Sequence, residues 1–126
     1  MKRISVLIVD DSSVMRKIVE RSLRQAGLEL EKVMEADNGM DALTHVRENP
    51  IDLIISDVNM PKMDGIEFLR QIQGIEKAKS IPILMITTEG SEQKVMEAIS
   101  LGAKGYIRKP FSADQVRQQL SELLAL

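Results

Sequence analysis

At 126 residues the chain has the length of one ordinary domain, which can bury roughly two-thirds of its unfolded surface without a staple. It contains no cysteine, which removes disulfides, thiolate metal ligands and thiol nucleophiles and suits the cytoplasm. With 17 basic against 19 acidic residues, a net charge of −2, and only Phe68, Tyr106 and Phe111 aromatic, it has neither the basic face nor the stacking platform of a nucleic-acid binder.

The first apolar run, Ile4–Val9, is broken only by Ser5; it is too short for a signal peptide, ends on two acids and reads as a strand. Met15, Ile18, Val19, Leu23 and Ala26 then recur at helical spacing, and Gly27 closes that helix. Val33–Ala36 is a weaker strand, suited to a sheet edge. Met40, Leu43 and Val46 stripe a second helix that stops before Pro50. Ile51–Ser56 is the third strand, and Ile66, Leu69 and Ile72 mark a third helix ending at Gly74. Ile81–Ile86 is the fourth strand, followed by a helix carrying Val95, Ala98 and Ile99 and closed by Gly102. Gly105–Arg108 is the fifth, and Val116, Leu120, Leu123 and Leu124 complete the set. No stretch approaches the ~20 apolar residues that cross a bilayer, so a soluble, cytoplasmic protein without membrane partners is expected.

Strict β–α alternation predicts a parallel sheet with helices on both faces and right-handed crossovers. Four of the strands are nearly continuous in apolar character, as strands covered on both sides must be. In such sheets the ligand site lies beyond the carboxyl ends of the strands, where the strand order reverses. Asp10-Asp11, Asp57, Thr87-Thr88 and Lys109-Pro110 stand at those ends.

Three carboxylates crowded together repel: at an effective dielectric near 20, each pair ~5 Å apart costs roughly 3 kcal/mol. All the donors are oxygens, so a hard cation fits best, Mg²⁺ first and Mn²⁺ as the alternative. Magnesium prefers sites shared with phosphate, which points to phosphoryl transfer. Asp57 is the candidate nucleophile, forming an acyl phosphate while Asp10 and Asp11 hold the metal. Thr87 and Lys109 would receive phosphoryl oxygens. Strand five is expected about 9–10 Å from strand three, beyond the ~6 Å reach of a lysine stem. Contact of Lys109 with Asp57 alone should therefore be loose.

Each residue also has a plainer reading. Asp11 or Ser12 can cap the first helix, Thr87 can be a buried β-branched residue, and Tyr106 half-buried packing. His45 reads as a solvated helix residue, and Met60 and Met63 as walls of the site.

The segments VLIVDDS (Val6–Ser12), DVNMPKMDG (Asp57–Gly65), TTEG (Thr87–Gly90) and GAKGYIRKPF (Gly102–Phe111) resemble the receiver domain of two-component response regulators, most of all the stand-alone chemotaxis type. The resemblance runs from the first strand to the last helix. It implies a flavodoxin-like three-layer α/β/α sandwich, a five-stranded parallel sheet in the order 2-1-3-4-5 with five helices, and a single receiver domain over 1–126. It assigns Asp10 and Asp11 to the metal, together with Asp57 and the backbone carbonyl of Asn59. It makes Asp57 the phosphoacceptor, Thr87 and Tyr106 the switch pair and Lys109 the phosphate-binding lysine, and it implies a cis peptide before Pro110. Asn59 and Glu89 match the tuning pair of fast-relaxing chemotaxis proteins; Thr88 is larger than the family's usual Ala, Gly or Ser and would crowd phosphodonor access.

The implied protein is a phosphoacceptor, not an enzyme, that labels itself from phosphodonors and dephosphorylates itself. A sensor histidine kinase is the donor. The fourth helix, fifth strand and fifth helix form the face that binds a target, with the flagellar motor switch the leading candidate, and the chain itself is expected to be a monomer. Alternatives are a phosphate sink or adaptor receiver, a haloacid-dehalogenase-like phosphatase and a flavin-binding flavodoxin-like protein. The phosphatase needs an Asp-x-Asp nucleophile on strand one, and the flavin protein a Ser/Thr/Gly-rich loop where Asp10-Asp11 stands. Direct DNA binding is not expected, since no output domain precedes Leu126.

Overall fold

The computed structural model describes residues 3–124; Met1 and Leu126, the expected domain limits, lie outside them. Strands and helices alternate as β1 (Arg3–Val9), α1 (Ser13–Gln25), β2 (Glu29–Ala36), α2 (Gly39–Glu48), β3 (Leu53–Ser56), α3 (Gly65–Gln73), β4 (Ile83–Thr87), α4 (Glu92–Ser100), β5 (Gly105–Arg108) and α5 (Ala113–Leu124). The strands pair in parallel in the order β2-β1-β3-β4-β5, so the order reverses between β1 and β3.

The period-2 alternation of side chains explains why the central strands read as unbroken apolar runs. Val6 and Ile8 on β1, with Leu53 and Ile55 on β3, face a core completed by Val19 and Leu23 of α1 and Val116 and Leu120 of α5. Leu7 and Val9, with Ile54 and Met85, face the opposite core, built from α2, α3 and Ala98 of α4.

Several boundaries and faces differ from expectation. β2 is the predicted edge but begins at Glu29, because its first half carries Glu29, Glu31 and Lys32, charges that keep an edge from pairing with other chains. Its register slips between Ile4 and Ser5 of β1. β4 begins at Ile83 because Pro82 has no N–H for the ladder. Met40, Ile18 and Ile99, placed on buried stripes by spacing, are 54%, 42% and 47% exposed, each lying at the margin of its helix's apolar stripe. Leu123 and Leu124 are partly buried.

Gly27 (φ +99°) and Gly102 (φ +107°) follow α1 and α4 in left-handed geometry that favours glycine. Ser12, Asn38, Asp64 and Ser91 cap the starts of α1 to α4. No described helix is long and apolar enough to cross a membrane.

Candidate functional site

Parallel register brings the predicted residues to one end of the sheet. Val9 pairs with Ser56, Ser56 with Met85, and Thr87 with Arg108, so the next residues, Asp10, Asp57 and Lys109, all lie beyond the carboxyl ends. Backbone bonds carry the ladder one step further: Asp10 N–H donates to the Ala36 carbonyl (3.0 Å), Asp57 N–H to Val9 (2.9 Å) and Lys109 N–H to Thr87 (2.8 Å).

One carboxylate oxygen from each of Asp10, Asp11 and Asp57 lies within 4.8 Å of the others. Asp10 and Asp57 are buried, and Asp11 is exposed. Asp10 Oδ1 accepts from Ser12 N–H (2.9 Å), and Asp57 Oδ1 from Val58 N–H (2.6 Å). Among the described residues no hydrogen bond or ion pair engages the Asp11 carboxylate. Ser12 supplies the helix cap by accepting from Met15 N–H (3.2 Å), so Asp11 has no capping duty. The plainer reading therefore fits Ser12 and not Asp11.

The expected loose contact of Lys109 is corrected. Its Nζ donates to Asp10 Oδ2 at 2.7 Å and to Asp57 Oδ2 at 3.2 Å. Strand spacing and the lysine stem alone leave a gap, but the aspartate side chains project into it and close it. Burial alone would push the ammonium's pKa down, but the Asp10 hydrogen bond and the charges of Asp57 and Asp10 outweigh it and hold it above the usual lysine value.

Thr87, fully buried, accepts through its hydroxyl from Glu89 N–H (3.1 Å). The half-buried Tyr106 donates its hydroxyl to the Glu89 carbonyl (2.5 Å). Thr87 and Tyr106 thus grip one residue from opposite sides. Burial, with Glu89 and Asp57 adding negative potential, raises the Tyr106 phenol above its usual range. The Glu89 carboxyl is held below the usual range by hydrogen bonding to Ser91 first, with the Asn59 side chain contributing. Asn59 and Thr88 are exposed beside the site.

After Asp57 the chain turns through Lys62, a non-glycine residue in left-handed geometry (φ +66°), and returns so that Gly65 N–H donates to the Val58 carbonyl (2.7 Å). A Cβ at Gly65 would overlap the Asp57 carbonyl oxygen, which explains glycine there. Met60 and Met63 pack half-buried against the core beneath this turn. The Lys109–Pro110 peptide is cis, as the resemblance implied.

Sequence reasoning missed Arg16 and Glu35. Arg16 Nη1 donates to the Asp10 carbonyl (2.6 Å) and its Nε to Glu35 Oε1 (2.8 Å). No periodicity or motif marks either residue, because the link joins α1 to the edge strand through side chains.

The donor set tests well for a hard divalent cation. It is all oxygen, it includes one unengaged carboxylate, and its oxygens are nearly as close as the ~4 Å between opposite ligands of an octahedral magnesium.

Known proteins resemble this chain over most of its length. The family model described as the response regulator receiver domain matches residues 6–121. Chemotaxis protein CheY-3 of Vibrio cholerae is 40% identical over 122 residues, covering 97% of this chain and 92% of that protein. Chemotaxis protein CheY of Pseudomonas aeruginosa is 37% identical over 118 residues, 94% of each. Among solved structures, Vibrio cholerae CheY4 superposes with a TM-score of 0.84 at 39% identity, covering 97% of this chain and 99% of that one. A putative response regulator from Chloroflexus aurantiacus gives 0.87 at 32%, covering 99% and 100%.

Proposed function

The chain belongs to the response regulator receiver family, whose members are signalling proteins and not classical enzymes, and on that premise we propose that it is a stand-alone receiver that takes a phosphoryl group on Asp57 and passes the change to a partner protein. The observation that carries this reading is the Asp57 carboxylate clustered with those of Asp10 and Asp11 and within hydrogen-bond reach of the Lys109 ammonium.

Asp10, Asp11 and Asp57, with the Asn59 carbonyl, would hold the ion. Magnesium, or manganese in its place, neutralises phosphoryl oxygens when bound. An Asp57 carboxylate oxygen attacks phosphorus on the phosphohistidine of a sensor kinase. The P–N bond breaks, its electron pair stays with the imidazole, and that nitrogen takes a proton from water. Lys109 transfers its ammonium from the carboxylates toward the new phosphoryl oxygens. The Thr87 hydroxyl turns to donate to one of them and releases Glu89 N–H, and Tyr106, bonded to the same residue, follows. Asn59, Thr88 and Glu89 border the path of attacking water and donor, and set the lifetime of the acyl phosphate.

The responding face is α4, β5 and α5, where Met96 and Ile99 are exposed. Two newly formed hydrogen bonds involving charge would supply roughly 3–6 kcal/mol, an upper bound here because Lys109 gives up carboxylate partners, against ~5.5 kcal/mol to move a population from 1:99 to 99:1. A target that prefers the switched state completes the shift. Relatives named as chemotaxis proteins support a role in chemotaxis. The target in this reading is a flagellar motor switch, with a monomeric receiver acting in the cytoplasm.

The test is labelling by a small acyl phosphate, followed by intact mass. One phosphoryl group per chain is expected with magnesium, and none in Asp57→Asn. Equal labelling of Asp57→Asn, or turnover of many equivalents of an unrelated phosphomonoester, overturns the reading.

A further inference from the structure

We infer that Arg16 is a positioning residue for the metal pair: its guanidinium pins the Asp10–Asp11 peptide and thereby aims the Asp11 carboxylate into the site. The inference deepens the phosphoacceptor reading and rests on it.

Arg16 lies in the first turns of α1, yet its side chain is only 16% exposed. Its planar fork holds two acceptors at once, the Asp10 carbonyl (2.6 Å) and Glu35 Oε1 on β2 (2.8 Å). Glu35 is fixed in turn by Lys17 Nζ at 3.0 Å. The Glu35 carboxyl sits below its usual range, held by the Arg16 hydrogen bond first and that of Lys17 second.

The two carboxylates of the pair are secured differently. Asp10 has direct fixings, with Ser12 N–H on one oxygen and Lys109 on the other. Asp11 has none among the described residues, so its direction depends on the peptide plane that precedes it. That plane is rigid and turns as a unit about the flanking backbone bonds. The oxygen of that plane is the atom Arg16 holds. Released, the peptide can rotate and the exposed Asp11 swings away.

Electrostatics makes the opposite demand. A guanidinium beside a cation site repels the cation, so removing its charge should tighten magnesium binding. Loss of aim should weaken it, and a residue that merely packs should do neither. The sign therefore separates the roles.

The test is calorimetric titration of the phosphate-free chain with magnesium chloride, comparing wild type with Arg16→Met, which keeps an apolar stem against the fold. Binding about 10-fold weaker is expected, as for other groups that orient metal ligands. The metal-free variant should also show moved Asp11 and Ser12 backbone amide NMR signals. In an Asp11→Asn background, Arg16→Met should add less than about 2-fold, since the residue it aims is gone. Lys17→Met, which removes the other cation on Glu35, should stay within about 2-fold of wild type. Should Arg16→Met fail to fold, Arg16→Lys keeps the charge but loses the planar fork that holds both acceptors, and should weaken binding in the same direction. Equal or tighter binding by the folded Arg16→Met, or by Arg16→Lys in its place, overturns the role of Arg16 alone if wild type binds magnesium and is labelled at Asp57. Absence of magnesium uptake by wild type overturns the site reading, and this inference with it.

Discussion

Lys109 sits closer to Asp10 than to Asp57, 2.7 Å against 3.2 Å. The ammonium is therefore engaged before any phosphoryl group arrives, offsetting part of the repulsion among the three carboxylates. In the proposed phosphorylation it would exchange partners and not gain one from water, so its net contribution would be smaller than that of a newly formed bond. More of the ~5.5 kcal/mol needed for a full switch then falls to Thr87 and to the bound target.

This pairing predicts an alkaline signature. The pKa of Lys109 is raised in the fold, because the Asp10 hydrogen bond and the nearby charges outweigh burial. Its stabilisation is whole below the ordinary lysine value of 10.5 and is lost as pH rises through the raised one. Lys109→Met should cost about 2–3 kcal/mol at neutral pH, and the difference from wild type should shrink above the lysine range. Urea unfolding at a series of pH values measures it; a difference constant with pH would show that the ammonium is not what the carboxylates hold.

Asp11 should behave in the opposite sense. It lies within 4.8 Å of Asp10 and Asp57 and is exposed, so solvent screens most of a repulsion of about 3 kcal/mol per pair. Asp11→Asn should stabilise the metal-free chain by about 1 kcal/mol, since it breaks no ion pair. Magnesium at 100 times its dissociation constant should stabilise wild type by about 2.7 kcal/mol and Asp11→Asn far less. Thermal or urea unfolding with and without the ion checks both halves; destabilisation of the metal-free variant would mean that the carboxylate has a structural partner.

The contrast between Asp57 and Arg16 shows where sequence reading succeeds. Asp57 was legible because strand ends converge in a parallel sheet, and its turn carries local chemistry: Asp64 as cap, and Gly65 where a Cβ would overlap the Asp57 carbonyl. Arg16 was not, since its meaning comes from a carbonyl six residues back and a carboxylate on another strand. The reach of Lys109 is hidden from sequence for a related reason: strand spacing fixes backbones, while the distance between charged tips depends on all the side chains that share the gap. Edge strand β2 began four residues before its apolar end because charge, not hydrophobicity, marks an edge.

Helix α4 is seated by little apolar burial, and that predicts its dynamics. Only Ala98 is buried on it, whereas α3 buries Ile66, Phe68, Leu69 and Ile72. A fully buried large side chain contributes about 1.5–3 kcal/mol, so α4 lacks much of what anchors its neighbour. Polar clasps from α3 take part of that role: Arg70 Nη2 meets Glu97 Oε2 at 3.4 Å, and Gln73 Nε2 donates to the Leu101 carbonyl at 2.7 Å. Amides of α4 should therefore exchange with solvent faster than those of α3. Gln73→Ala should speed α4 exchange about 5- to 10-fold, the worth of one hydrogen bond at a helix end, and leave α3 nearly unchanged. Native-state hydrogen exchange measures both. Protection of α4 equal to that of α3 would mean the helix is held by more than Ala98 and its clasps, and a few kcal/mol at Asp57 would then be too little to move it.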